Sequence, residues 1–597
     1  MQIANTACVS RALPARAPRS VDSVESDGAS WVEKRADLVQ PRSAGEVVVC
    51  MALRTLSTDA RDAHLRLRKG CVVSYCPIAS SIGTRVLHSG GNAIDAAVAT
   101  GLALAVTYPQ AGNLGGGGFM LVRMASGERH FLDYRETAPR RVDPSLFVNR
   151  DGSRSERALY GGAPVCVPGT VAGLAAALER LGTWSWDRII GAVVDLAQIG
   201  TWVTTRQATY FNMHMDELSR YETSRETYLP GGSPPEVGTL WHQPDLARTL
   251  RLLAEHGPSC FYSGELAGRI VDTVGEHDGI LDADDLAGYR PAWRAPMVSS
   301  FCGRELITAP FPSGGGLVVR VSSAVLEANG VHTQPPSSPE RYRLLVRAFR
   351  VAFELRRRMA GDPDFATPRQ RAAAAALLDR SLAMAGNLDA LERELELDRP
   401  GPLGDGQPHK NTTHFSAIDR EGNAVANTYS LNTLFGCKLV ARGCGFFLNN
   451  TMDDFSLSAS APNYYGIVEG SINEPSPGRR PTGSMAPTIA VAGDGAVELI
   501  LGASGGPRIP TAVTQLLVGV LCDDEILPVA MRAPRVHHQL VPDEIWVEPM
   551  LRMELQQALA GLRGGVAVHP RLGIGVGIHN HRDSVYASLD FRFSQEA

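Results

Sequence analysis

The chain has 597 residues, of which 44% are hydrophobic and 20% charged, enough to bury a large core. Its formal net charge of −5 is small for that length and gives no long-range field for nucleic acid or an anionic membrane. No apolar run reaches the roughly 18 residues of a membrane span, and Lys occurs only at 34, 69, 410 and 438. The ten cysteines are scattered, and none shares metal-site spacing with His or another Cys, so neither zinc nor any other metal is expected. Buried free thiols are the expectation for them.

Residues 1–68 mix Ser, Arg, Asp and Pro without periodicity and are expected to form a poorly ordered extension, with a short helix near Glu46–Ser57. The start is Arg-rich but lacks the 7–15-residue apolar core of a secretory signal, which leaves the compartment unknown. From Gly70 the pattern changes. CVVSYCPIAS suggests a strand and turn, and SIGTRVLHSG has helical spacing that ends at Gly90-Gly91. Asn92 is placed to cap a second helix, NAIDAAVATGLALAVTYP, which is apolar nearly all round and therefore buried. The glycine run Gly115–Gly118 precedes two strands, FMLVRM and HFLDYR.

Residues 170–200, 243–290 and 340–395 have helical patterning. The stretch from Leu397 to Lys410 is a linker by its Pro and Gly content. A strand-rich part follows, with HFSAID, NAVANTYSL, GFFLNN, TIAVAG and AVELILGA as its strands. Between linker and first strand stands Asn411-Thr412-Thr413-His414. A hydroxyl residue there can attack the preceding carbonyl, and hydrolysis of the resulting ester frees an N-terminal Thr. Its α-amine, with a reference pKa of about 7.7–8.0, can then serve as general base for its own hydroxyl. On pattern alone, such a tripeptide is also a common turn.

The string from Thr412 to Phe455 resembles the nucleophile segment of the γ-glutamyltranspeptidase (glutathione hydrolase) family, of the N-terminal-nucleophile hydrolase superfamily. GGNAIDAAVA, NLGGGGFMLV, FLDYRETAP, VPGTVAGL, PSGGG, GDPDF, SMAPTI and GASGGPRI follow the same family in its order, from about residue 69 to the end. The resemblance implies an α+β fold, a four-layer αββα sandwich. It also implies cleavage between Asn411 and Thr412 into a large helix-rich piece, residues 69–411 behind the extension, and a small strand-rich piece, residues 412–597. The two would remain together as a heterodimer, with no cofactor.

It further implies roles for single residues. Thr412 would be the nucleophile, Ser430 its hydroxyl neighbour, and Gly505 and Gly506 the amide pair that stabilises the oxyanion. Arg135 and Asn432 would hold the substrate α-carboxylate, Asp454 the α-amino group, and Tyr465 a lid over the pocket within residues 456–483. Two positions depart from the pattern. Thr451 stands where the family has Gln or Glu on the α-amino group, and Gly483 replaces one of two serines on the α-carboxylate, Ser484 keeping the other. The implied substrate is glutathione or another γ-glutamyl amide, with water, an amino acid or a dipeptide as acceptor. Because of the two departures, a glutaryl/cephalosporin-type acylase of the same fold stays open, as does an unprocessed homologue acting as a scaffold.

Overall fold

The computed structural model describes residues 70–397, 412–458, 462–582 and 584–596. The chain divides into two compact units, Met1–Val48 and Val49–Ala597, and every described residue lies in the second. The expected N-terminal extension, its short helix, and most of the linker fall outside the described residues.

Two six-stranded antiparallel sheets form the centre. The strands are β1 (Cys71–Ser74), β2 (Gly117–Arg123), β3 (Arg129–Tyr134), β4 (Ala292–Arg294), β5 (Met297–Phe301) and β6 (Arg304–Thr308). They continue with β7 (Thr413–Ile418), β8 (Ala424–Ser430), β9 (Thr488–Val491), β10 (Val497–Ser504), β11 (Ile574–His581) and β12 (Ser584–Leu589). The first sheet runs β1-β7-β8-β2-β3-β4 and the second β12-β11-β10-β9-β6-β5. They stack face to face through β7 and β8 on one side and β10 and β11 on the other. Helices α1 (Pro77–His88), α2 (Ala93–Thr107) and α3 (Thr170–Leu181) cover the first sheet. Helix α4 (Gly314–Ala328), backed by α5 (Pro339–Met359), and α6 (Arg508–Leu517) cover the second. This is the expected αββα order.

The buried helix α2 is fixed at its start by Asn92, whose side chain accepts from the amides of Ile94 and Asp95 while Asp95 accepts from the Asn92 amide. Asp419, in the β7–β8 turn, accepts from the Ala93 amide and pins that helix end to the sheet. The strands alternate in a way the sequence conceals. On β7, Phe415 faces α2, packing edge-on against Tyr429, whose hydroxyl donates to the Gly101 carbonyl. His414 faces the other sheet, where it fills the space above Gly502. With both faces buried, β7 and β8 lack the polar side that a half-exposed strand shows.

Three expectations are corrected. PIAS is the first turn of α1, with Pro77 at its first position, where the missing N–H costs nothing. GFFLNN is not a ladder strand: Phe447 and Leu448 make only isolated bridges, antiparallel to Val440 and parallel to Gly115, and because these partners lie on two different segments no ladder continues. Two of the cysteines are not free thiols. Cys302 and Cys522 form a disulfide with their Cα atoms 5.8 Å apart, while Cys76, Cys166, Cys260, Cys437 and Cys444 keep free thiols.

Candidate active site

Thr412 is buried at the head of β7. The β7–β8 ladder pairs Thr413 with Tyr429, and one further antiparallel step sets Thr412 opposite Ser430. Side chains alternate along both strands, so Thr412 and Ser430 share a face with His414 and Thr428, the face turned toward the second sheet. Ser430 in turn pairs with Gly117 on β2. The glycine run ahead of β2 is required by close approach: a Cβ at Gly116 would lie 2.1 Å from the Ser430 carbonyl oxygen, and one at Gly117 2.6 Å from Glu136 Oε2. Asn411 lies outside the described residues.

Gly505 and Gly506 join β10 to α6 with φ of +132° and +58°, conformations open to glycine at little cost. Their amides have no acceptor among the described residues. At that turn they also precede the N-terminus of α6, where the helix dipole favours negative charge. Arg508 closes the turn by donating from Nε to the Gly505 carbonyl at 2.9 Å. Tyr465 roofs the same place. Its ring is close enough to Gly506 that a Cβ there would sit 2.8 Å from Cδ1, and its hydroxyl donates to the Asn432 carbonyl at 2.6 Å. Gln539 holds the Tyr465 carbonyl at 2.9 Å.

Asn432, at φ +76°, has its amide on Ser430 Oγ at 3.0 Å, which links the lid to the residue beside Thr412. Its side-chain nitrogen donates to the Asn450 carbonyl. Asp453, its neighbour in the site, is paired with Arg154 at 2.9 Å, yet burial lifts its carboxyl to about 6.

The charged heart of the site is Arg135, 1% exposed. It donates to Asp454, to Glu136 at 3.1 Å, and weakly to the Pro481 carbonyl at 3.4 Å. Burial works against its charge, but the two carboxylates outweigh that and hold the guanidinium firmly protonated. Burial likewise raises both carboxyls above the usual range, against the pull of Arg135. Thr451 is fully buried and donates to Glu136 Oε1 at 2.9 Å. Gly483 lies against the guanidinium: a Cβ there would be 3.6 Å from Arg135 Nε. Ser484 accepts from Arg356 at 2.7 Å, and Arg356 is paired with Glu469.

Among the described residues, those singled out from the sequence are joined by contacts or by chain adjacency into one cluster, apart from Thr412, which the strand register sets beside Ser430. Glu136, Arg356 and Glu469 were missed. Glu136 stood in plain view beside Arg135 in FLDYRETAP, whereas Arg356, within LRRRM, looks like any cation on an exposed helix face. Among the described residues there is no group of His, Cys, Asp and Glu fit to hold a metal ion, and no helix long and apolar enough to cross a membrane.

The arrangement has counterparts. The family model described as gamma-glutamyltranspeptidase matches residues 79–597. The glutathione hydrolase proenzyme of Escherichia coli is 36% identical over 85% of this chain and 88% of its own length. That of Pseudomonas aeruginosa is 38% identical over 80% and 84%. Among solved structures, a cephalosporin acylase from Bacillus halodurans superposes with a TM-score of 0.73 at 25% identity, covering 87% of this chain and 93% of that one. The Helicobacter pylori gamma-glutamyltranspeptidase gives 0.50 at 32% identity, over 56% and 94%. The chain belongs to the γ-glutamyltranspeptidase family of N-terminal-nucleophile hydrolases.

Proposed function

We propose that the protein is a self-processed γ-glutamyltransferase and glutathione hydrolase in which Thr412 is both the new chain terminus and the nucleophile. The precursor is cut between Asn411 and Thr412. The Thr412 hydroxyl, relieved of its proton by its own α-amine, attacks the γ-carbonyl of a γ-glutamyl amide. The amides of Gly505 and Gly506 receive the oxyanion, where loss of one such donor typically costs about 3 kcal/mol. The amine leaves with a proton returned by the same α-amino group. Water then releases glutamate, or an amino acid or dipeptide takes the acyl group. The two pieces, ending at 411 and beginning at 412, stay paired through the shared sheets.

One observation carries the choice of acyl group: a single buried guanidinium, Arg135, flanked by two carboxylates, the buried Glu136 and the partly exposed Asp454. That trio carries an excess negative charge, which a substrate with both an ammonium and a carboxylate neutralises. The α-carboxylate takes Arg135 in a two-point contact, and the α-ammonium takes Asp454 and Glu136. A glutaryl group offers the carboxylate alone and would leave the excess negative charge of the trio uncompensated. Thr451 is too short to replace the missing Gln or Glu, but its hydroxyl orients Glu136, which supplies the lost negative charge from the neighbouring strand end.

The test couples N-terminal sequencing of the smaller fragment with assays on γ-glutamyl- and glutaryl-p-nitroanilide. We expect a fragment beginning at Thr412, preference for the γ-glutamyl anilide, and an intact, inactive Thr412→Ala chain. Preference for the glutaryl anilide would overturn the substrate assignment. An uncut wild-type chain after long incubation would instead favour the scaffold reading.

A further inference from the structure

Arg356 lies on α5 and is 3% exposed. Its Nε and Nη2 both donate to Glu469 Oε1, at 2.8 and 2.6 Å, and its Nη1 donates to Ser484 Oγ at 2.7 Å. Its stem is wedged against the start of α4, where a Cβ at Gly314 would lie 2.7 Å from Nε. Among the described residues Glu469 Oε2 has no hydrogen-bond partner, so the whole of that buried side chain's pairing runs through Arg356.

A guanidinium has donors only, whereas a hydroxyl has one hydrogen and two lone pairs. Ser484 must therefore accept from Arg356, and its own hydrogen is turned elsewhere. The adjacent residue, Gly483, lies against Arg135, where a Cβ would be 3.6 Å from Nε, so Ser484 follows directly on the backbone that packs against that guanidinium. Gly483 lacks a hydroxyl, so Ser484 carries the one hydroxyl of this adjacent pair. Glu469 lies within the segment that carries Tyr465, so the same guanidinium links the lid to the carboxylate pocket.

We propose that Arg356 is a specificity-determining positioning residue: it fixes Ser484 as a donor to the substrate α-carboxylate and, through Glu469, ties that donor to the closed lid. It touches no reacting atom. The inference rests on the γ-glutamyl reading above.

The test compares γ-glutamyl-p-nitroanilide with 4-aminobutyryl-p-nitroanilide, which keeps the amine and lacks the α-carboxylate. Wild type, Arg356→Gln, Glu469→Gln, Ser484→Ala and Arg356→Gln/Ser484→Ala are assayed after complete processing. For Arg356→Gln and Ser484→Ala the KM for the γ-glutamyl anilide rises about tenfold, as loss of a charge-assisted contact predicts, with kcat nearly unchanged. The 4-aminobutyryl anilide is turned over as by wild type. The double variant loses no more than either single one, because both remove one interaction. Glu469→Gln, which leaves the guanidinium in place but loosens it, gives a smaller rise of the same kind and serves if Arg356→Gln does not accumulate. Equal losses on both anilides, or additive losses in the double variant, would overturn the proposal in favour of a structural role. A wild type that does not discriminate between the two anilides would overturn the substrate reading, and this inference with it.

Discussion

At the scale of single residues, binding and chemistry are carried by different groups. Among the described residues Glu136 touches Arg135 and Thr451 and stands beside Gly117. Glu136→Gln keeps the shape and removes the charge proposed to face the substrate ammonium. It should raise KM for γ-glutamyl anilides at least tenfold while kcat stays within a few-fold, the signature of binding lost equally in ground and transition states. Thr451→Val removes one hydrogen bond of about 1 kcal/mol and should raise KM about fivefold in the same steady-state assay. Gly506→Ala should behave oppositely. Its φ of +58° strains an alanine, and the added carbon meets Tyr465, so kcat should fall by about 10²-fold with KM little changed. The proposed nucleophile and glycine pair are read from the sequence because such chemistry demands fixed residue types in fixed order. The contact of Glu136 with Thr451 is not, because nothing in a sequence says that two segments so far apart meet there.

At the scale of elements, one residue pair shows how closely the two sheets approach. His414 of β7 occupies the volume that any side chain on Gly502 of β10 would need; a Cβ there would lie 2.1 Å from Nδ1. Gly502→Ala should therefore destabilise the protein by about 1–3 kcal/mol or more, read as a fall in the urea midpoint. The His414 ring is satisfied on both sides, by Thr428 at 2.8 Å and Ser416 at 3.0 Å, and burial drives its pKa down to about 3. The sign follows. Unfolded, the imidazole takes a proton near pH 6.5, whereas folded it resists until about pH 3, so its share of stability is complete above pH 6.5 and is lost on acidification toward pH 3. Urea unfolding at pH 7 and pH 4.5 should show a smaller drop for His414→Gln than for wild type. The strands themselves were readable from apolar runs and turn residues. Their two-sided burial was not, and for that reason GFFLNN, equally apolar, passed for a strand although it meets its neighbours only at single bridges.

At the scale of the whole molecule, the layers were legible through the ordered motifs, while the pairing of distant segments was not. Each sheet mixes strands from both sides of the linker: β7 and β8 sit between β1 and β2 in the first, and β9 joins β6 in the second. A chain cut before Thr412 would thus keep its two pieces joined by strand ladders. The disulfide adds a covalent link of the same kind. Cys302, in the turn between β5 and β6, precedes the cut, and Cys522, just beyond α6, follows it. Spacing alone could not reveal this pair, since 220 residues separate its members. After processing, the bond should hold the pieces in one covalent species. Under non-reducing denaturing electrophoresis the fully processed protein should run as a single band that reductant splits in two, and Cys302→Ser should give two bands without reductant. The variant should stay assembled and active in native buffer, because the ladders remain, but its pieces should separate at lower urea than those of wild type, where the tether keeps their recombination intramolecular. Two bands from unreduced wild type would show that the sheets alone hold the pieces together.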